Sequence, residues 1–181
     1  MLKLSENIDM EVMMPGKYFD EFVVGDEFVT PSRTITETDV VMFAAMTSRT
    51  ITETDVVMFA AMTGDYNELH TSEEYMKKSQ FGERLVHGLL GLAVSHGLMF
   101  RLGLVEGTAI AFLGIESWKF EAPIFFGDTI RVRVKIEETK ASKSKPDRGV
   151  VKFFLEVVKE DGTVVQSGYK VIMMKRKQDI D

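Results

Sequence analysis

The chain has no cysteine, one tryptophan, three histidines and four prolines in 181 residues. The missing cysteine excludes disulfides, Cys-ligated zinc, iron–sulfur clusters and thiol nucleophiles together. Positive charge is also scarce: 22 Lys and Arg stand against 28 Asp and Glu, a formal net charge of −6. General nucleic-acid binding needs a basic surface, so that class is excluded too. No long hydrophobic run exists. The most apolar stretch, Leu85 to Phe100, is broken by His87 and His96 and is too short to span a bilayer. Residues 1–16 carry Lys3, Glu6, Asp9 and Glu11 and lack the apolar core of a signal peptide. A cytoplasmic protein without a membrane partner is expected. What remains is 45% hydrophobic and 28% charged, the composition of one globular domain with a real core. The expected layout is an N-terminal extension over 1–16, one domain over 17–176 and a tail over 177–181.

One segment occurs twice. Residues 32–47 read SRTITETDVVMFAAMT, and residues 48–63 repeat them without a mismatch. Two short copies do not make a solenoid; a tandem duplication of coding sequence is the simplest cause. Each copy holds a short β-like stretch and then a helix start, with Thr36 or Thr52 as N-cap and Asp39 or Asp55 three residues on. One straight helix through both copies would turn its two apolar faces about 160° apart. The second copy runs into Gly64, a natural C-cap. It is therefore expected to supply the helix, over Glu53–Met62, with the excess extruded between Pro31 and Thr52. The displaced copy is expected to form a helix exposing Val40, Val41 and Phe43 unless a partner covers them.

The remaining pattern reads as helices followed by strands. Phe28–Thr36 is a first strand and Glu73–Lys78 a helical turn. Arg84–Leu102 is apolar nearly all round, which predicts a helix buried on most sides. Ala109–Phe120 is aromatic and β-branched. Thr129–Ile136 alternates Ile130, Val132, Val134 and Ile136 with Arg131, Arg133 and Lys135, a sheet with one buried face. Val150–Lys159 and Thr163–Lys175 flank the turn signal Asp161-Gly162, and Lys140–Arg148 is a polar loop. The predicted class is α+β: an antiparallel sheet wrapped on a central helix. Oligomerisation would hide the remaining apolar surface and the strand edges.

Two stretches offer chemistry. Gly64-Asp65-Tyr66-Asn67-Glu68-Leu69-His70 places a carboxylate, an amide and an imidazole in one loop behind a capped helix. Asp65 and His70 could hold a water and take its proton; equally, Asp65 and Asn67 could be turn formers and His70 a packed histidine. A metal bound by Asp65, Asn67 and His70 would need a further donor from His87 or His96, and none is expected. His96, mid-helix, reads as a core histidine. In Val86-His87-Gly88-Leu89, free N–H groups at a helix start could polarise a carbonyl, and Gly88 would let a ligand approach closely; alternatively the glycines serve packing.

Together these motifs resemble the MaoC-like acyl-CoA dehydratases, or (R)-specific enoyl-CoA hydratases, of the hot-dog fold. The resembling segments are GDYNELH, the fifteen residues TSEEYMKKSQFGERL, VHGLLGL, and Phe120–Asp128 with its Pro and Gly-Asp. The resemblance covers about 17–175 once sixteen duplicated residues are set aside. It implies Asp65 and His70 as the pair that activates water, and Gly88 N–H as the donor to the thioester oxygen. It also implies that Asn67 and His87 shape the substrate site. No cofactor is implied beyond coenzyme A as part of the acyl-CoA substrate, and a homodimer is the expected assembly. Two positions depart from the family: Glu68 stands where it has Pro, and Ala93 near a position that carries a small hydroxyl residue in some members. Tyr66, Trp118 and Phe120 fit either an acyl tunnel or plain core. Arg84, Lys119 and Lys140–Lys145 are unassigned candidates for coenzyme A phosphates. A hot-dog thioesterase and a non-catalytic acyl-CoA binding protein are the competing readings.

Overall fold

The structure, a computed structural model, describes residues 16–29 and 49–177. The first copy of the duplicated segment, the residues of the expected first strand from 30 to 36, and most of both terminal segments lie outside that range.

The second copy supplies the helix, as its caps require. Strand β1 (Glu27–Val29) and strand β2 (Arg49–Thr50) precede helix α1 (Glu53–Thr63). The Thr52 hydroxyl accepts the Asp55 N–H, and the Asp55 carboxylate accepts the Thr52 N–H at 2.9 Å. Gly64 closes the helix in the left-handed conformation, φ 76°, its N–H donating to the Ala60 carbonyl at 2.8 Å. A β-carbon is disfavoured in that conformation, so the glycine ends α1 where the Asp65–His70 segment begins. Short helices α2 (Glu68–Thr71) and α3 (Glu73–Met76) follow, then α4 (Gly88–Phe100).

Helix α4 is shorter than the apolar run that announces it. Arg84 to His87 is extended instead, because Leu85 bridges to Phe125 and Val86 N–H donates to Ile124 O at 2.9 Å. The helix therefore begins at Gly88. It is also not enclosed on most sides within one chain. Leu90, Gly91, Val94, Ser95, Leu98 and Met99 are buried, whereas Leu89, Ala93, His96 and Phe100 are exposed. A single sheet covers one side of a helix and leaves the other open. His96 accordingly lies on the outer side, edge-on to Phe112 at 5.2 Å between ring centroids, rather than in the core.

Strands β3 (Ala109–Phe120), β4 (Thr129–Ala141), β5 (Arg148–Lys159) and β6 (Val164–Lys175) complete the domain. The sheet is antiparallel in the order β1-β4-β5-β6-β3, with β2 also paired to β4. The β5–β6 turn carries Gly162 at φ 92°, and Asp161 Oδ1 accepts the Thr163 N–H at 2.9 Å. The expected polar loop at Lys140–Arg148 is shorter than that range, because Lys140 and Ala141 still pair with Val150 and Gly149. The alternation in β4 holds: Ile130, Val132, Val134 and Ile136 are buried against α4, facing the same core as Phe153 and Leu155 of β5. The opposite face carries ion pairs such as Arg133–Glu156 at 3.4 Å.

Strand β3 is an edge of the sheet and breaks register three times along its pairing with β6. Trp118 nonetheless seats against β6, because position 168 is glycine. A β-carbon at Gly168 would lie 2.7 Å from the Trp118 Cα and Cε3.

Candidate active site

The loop after α1 is built by its own side chains. Asp65 Oδ1 accepts the Asn67 N–H at 3.3 Å, and Asn67 Oδ1 accepts the Leu69 N–H at 3.0 Å. Asn67 is thus the N-cap of α2, and that cap sets the angle from which His70 projects. The loop is tied to the segment before α4 by Leu85 N–H donating to Leu69 O at 2.9 Å.

Two backbone carbonyls fix the two histidines. His70 Nδ1 lies 2.7 Å from Leu85 O, and His87 Nε2 lies 2.9 Å from Asp65 O. A carbonyl can only accept, so each of those nitrogens carries the proton. His70 is left with an accepting Nε2, and His87 with an accepting Nδ1. The latter is buried without a hydrogen-bond partner among the described residues. The rings stack at 3.8 Å between centroids, and Phe59 packs on His87 at 5.1 Å. Ligand atoms of Asp65, His70 and His87 all lie within 4.8 Å of one another. Burial pushes the His70 pKa below its ordinary value, and the neighbouring His87 acts in the same direction; the Leu85 carbonyl and Asp65 oppose them. A neutral, acceptor-bearing His70 next to a half-exposed Asp65 carboxylate can receive a proton from water. The same three side chains could approach a cation, since each imidazole keeps one accepting nitrogen while the other is held by a backbone carbonyl.

Opposite them, α4 begins. The N–H groups of Gly88 and Leu89 donate to no intrahelical partner, as at any helix start. A β-carbon at Gly88 would lie 2.8 Å from a Phe120 ring carbon, so a larger residue there would have to displace that ring. A cavity of about 440 Å³ lies here, lined by His70, Phe81, Leu85, Gly88, Phe120 and Gln166 among others. The five residues singled out in the sequence therefore fall together. Asp65, His70 and His87 cluster, Gly88 faces the His70 cavity, and Asn67 holds the loop. Phe120 borders the cavity, Tyr66 is exposed, and Trp118 is half-buried beside the core. Arg84 is bound to Glu53 at 2.6 Å and lies over the Phe126 ring.

Three wall residues were not singled out: Phe81, Glu121 and Gln166. Glu121 accepts a hydrogen bond from the Ser167 hydroxyl. Gln166 had a visible signal, since it is a polar residue at the same strand parity as buried Ile172 and Met174.

The comparisons with known proteins show the family and the fold. Protein MaoC of Klebsiella aerogenes is 36% identical over 118 residues, which is 65% of this chain and 30% of that protein. The (R)-specific enoyl-CoA hydratase of Rhodospirillum rubrum is 33% identical over 120 residues, 66% of this chain and 69% of that one. Among solved structures, the R-hydratase PhaJ1 of Pseudomonas aeruginosa superposes with a TM-score of 0.66 at 26% identity, covering 88% of this chain and 86% of that one. The chain thus spans under a third of the length of MaoC itself. Hot-dog proteins are among its structural neighbours. The family model described as the MaoC like domain matches residues 45–158, from the end of the first copy into β5, and the chain belongs to that dehydratase family.

Proposed function

We propose that this protein reversibly adds water to a trans-2-enoyl-CoA, giving an (R)-3-hydroxyacyl-CoA. The observation that carries the reading is the tautomer of His70: its accepting Nε2 shares a cluster with Asp65 and a cavity with Gly88. Family membership and the hydratase relative support it.

In the proposed reaction the Asp65–His70 pair holds one water and takes its proton as the water oxygen bonds to C3. The C2–C3 π electrons move onto the thioester oxygen. Gly88 N–H and the α4 dipole stabilise that developing charge. The pair then delivers a proton to C2, so the enolate collapses to the saturated thioester with no net charge change. In this scheme the two groups act as one acid–base unit. His87 acts on the loop, because its Nε2–H holds the Asp65 carbonyl. No metal or redox cofactor enters this scheme. The proposed assembly is a homodimer, paired through the β3 edge where Ile110, Phe112, Leu113 and Ile115 are exposed.

Crotonyl-CoA separates the readings. Loss of enoyl absorbance without release of free thiol is the expected result. Release of coenzyme A thiol would instead make this a thioesterase, and tight binding without either change would make it a binding protein.

A further inference from the structure

Gln166 is 1% exposed, and both ends of its amide are occupied. Its Nε2 donates to the Gly88 carbonyl at 2.9 Å, and its Oε1 accepts the Trp118 indole N–H at 3.2 Å. The assignment of oxygen and nitrogen follows from the partners, since an indole N–H can only donate and a carbonyl can only accept. Space for the amide is made by Gly91, where a β-carbon would lie 2.4 Å from Gln166 Nε2. Trp118 is held in turn by its seat on Gly168. The line therefore runs from the edge strand, through β6, to the first peptide of α4.

That first peptide matters because Gly88 has the widest backbone freedom of any residue. A carbonyl has two lone pairs, so Gly88 O can take the Gln166 bond beside its helical one. We infer that Gln166, oriented by Trp118, is a positioning residue for Gly88: by holding the Gly88 carbonyl it fixes that residue's ψ, and so restricts the direction in which the Gly88 N–H, in the preceding peptide, meets the thioester oxygen. The inference rests on the hydratase reading's use of Gly88. Electron withdrawal at the carbonyl also strengthens the N–H of the same peptide unit, that of Leu89, as a second donor to the oxygen. A buried amide that merely satisfies its own polar groups would be required for stability but not for polarisation of a bound carbonyl.

The test reads the carbonyl directly. Hexanoyl-CoA, labelled at the thioester carbonyl, has no double bond to hydrate. Its infrared carbonyl stretch is measured on the wild type, on Gln166→Met, which keeps the volume, and on Trp118→Phe. The wild type is expected to shift the stretch to lower frequency, and each folded variant to lose about half of that shift or more. On crotonyl-CoA, kcat is expected to fall about 10- to 100-fold with KM changed less than about threefold. The double variant should be no worse than the poorer single one, because both changes break one line. The inference is overturned by no shift in the wild type, by an unchanged shift in either folded variant, or by losses that multiply in the double variant. Shifts that behave as expected, on a protein that hydrates no enoyl thioester, would leave the positioning role standing and remove the hydratase reading.

Discussion

Leu85 O and Asp65 O decide what the two histidines can do. By accepting one ring N–H each, they leave His70 with its acceptor free in the cavity cluster and hold His87 against the loop. Replacing Asp65 by Asn or His70 by Ala is expected to lower kcat on an enoyl-CoA by several orders of magnitude with a modest change in KM, since in the proposed reaction both act on the water rather than on the acyl carrier. The depressed pKa of His70 sets the acid side of the profile. The imidazole must be neutral to accept a proton, so kcat/KM should fall as pH drops through a value below the ordinary histidine range. An acid limb above that range would contradict the environment described. Lys170 is the other unusual residue. It is 1% exposed, its Nζ donates to Ser95 Oγ at 3.0 Å and lies 5.3 Å from the centre of the Trp118 ring. His96 is the titratable group that senses it, and no carboxylate pairs with it among the described residues. Burial lowers its pKa to about 7. Between that value and the ordinary lysine value of about 10.4, the unfolded chain binds a proton that the folded chain does not, so stability should rise with pH across that window. Denaturant melts at pH 7 and pH 9 check this, and Lys170→Met should flatten the difference.

Elements behave according to their ends more than their middles. Helix α1 stops at Gly64, and the loop turns directly into Asp65. Its start depends on the reciprocal Thr52–Asp55 pair, so Thr52→Ala should cost about 1 kcal/mol, read as a lower denaturation midpoint at unchanged slope. Sequence pattern located α1, the β5–β6 turn and the alternating face of β4, because caps, turn residues and period-two burial are local signals. It overran the start of α4. The residues Arg84–His87 are apolar enough to continue a helix, but Val86 and Leu85 find backbone partners near Phe125 that lie about forty residues away in sequence. A local pattern carries no record of such a partner.

At the scale of the molecule, the duplication and the open side of α4 belong together as questions of what one chain can bury. Every contact described for this region is made by the second copy, including Ile51 and Val56 in the core and Arg84–Glu53 at the surface. Deleting 32–47 is expected to keep the fold and the activity. It should raise stability by on the order of 1 kcal/mol through the shorter connection. Thermal melts and turnover of the shortened chain are the check, and an unfolded product would mean that the first copy is structural. The exposed Leu89 and Phe100 on α4, with the apolar β3 edge, account for the expectation of a second copy.

The sequence alone carried the class, the order of elements and five candidate residues that the fold brings near one another, because these are written in spacing, caps and a short motif. It could not tell a proton-accepting His70 from a packed one. That choice belongs to the Leu85 carbonyl, fifteen residues along the chain. Nor could it say what Gln166 does: its polarity at a buried strand position was visible, but its partner Gly88 lies 78 residues before it. Tautomer and hydrogen-bond direction are properties of partners, and only the folded chain assigns partners.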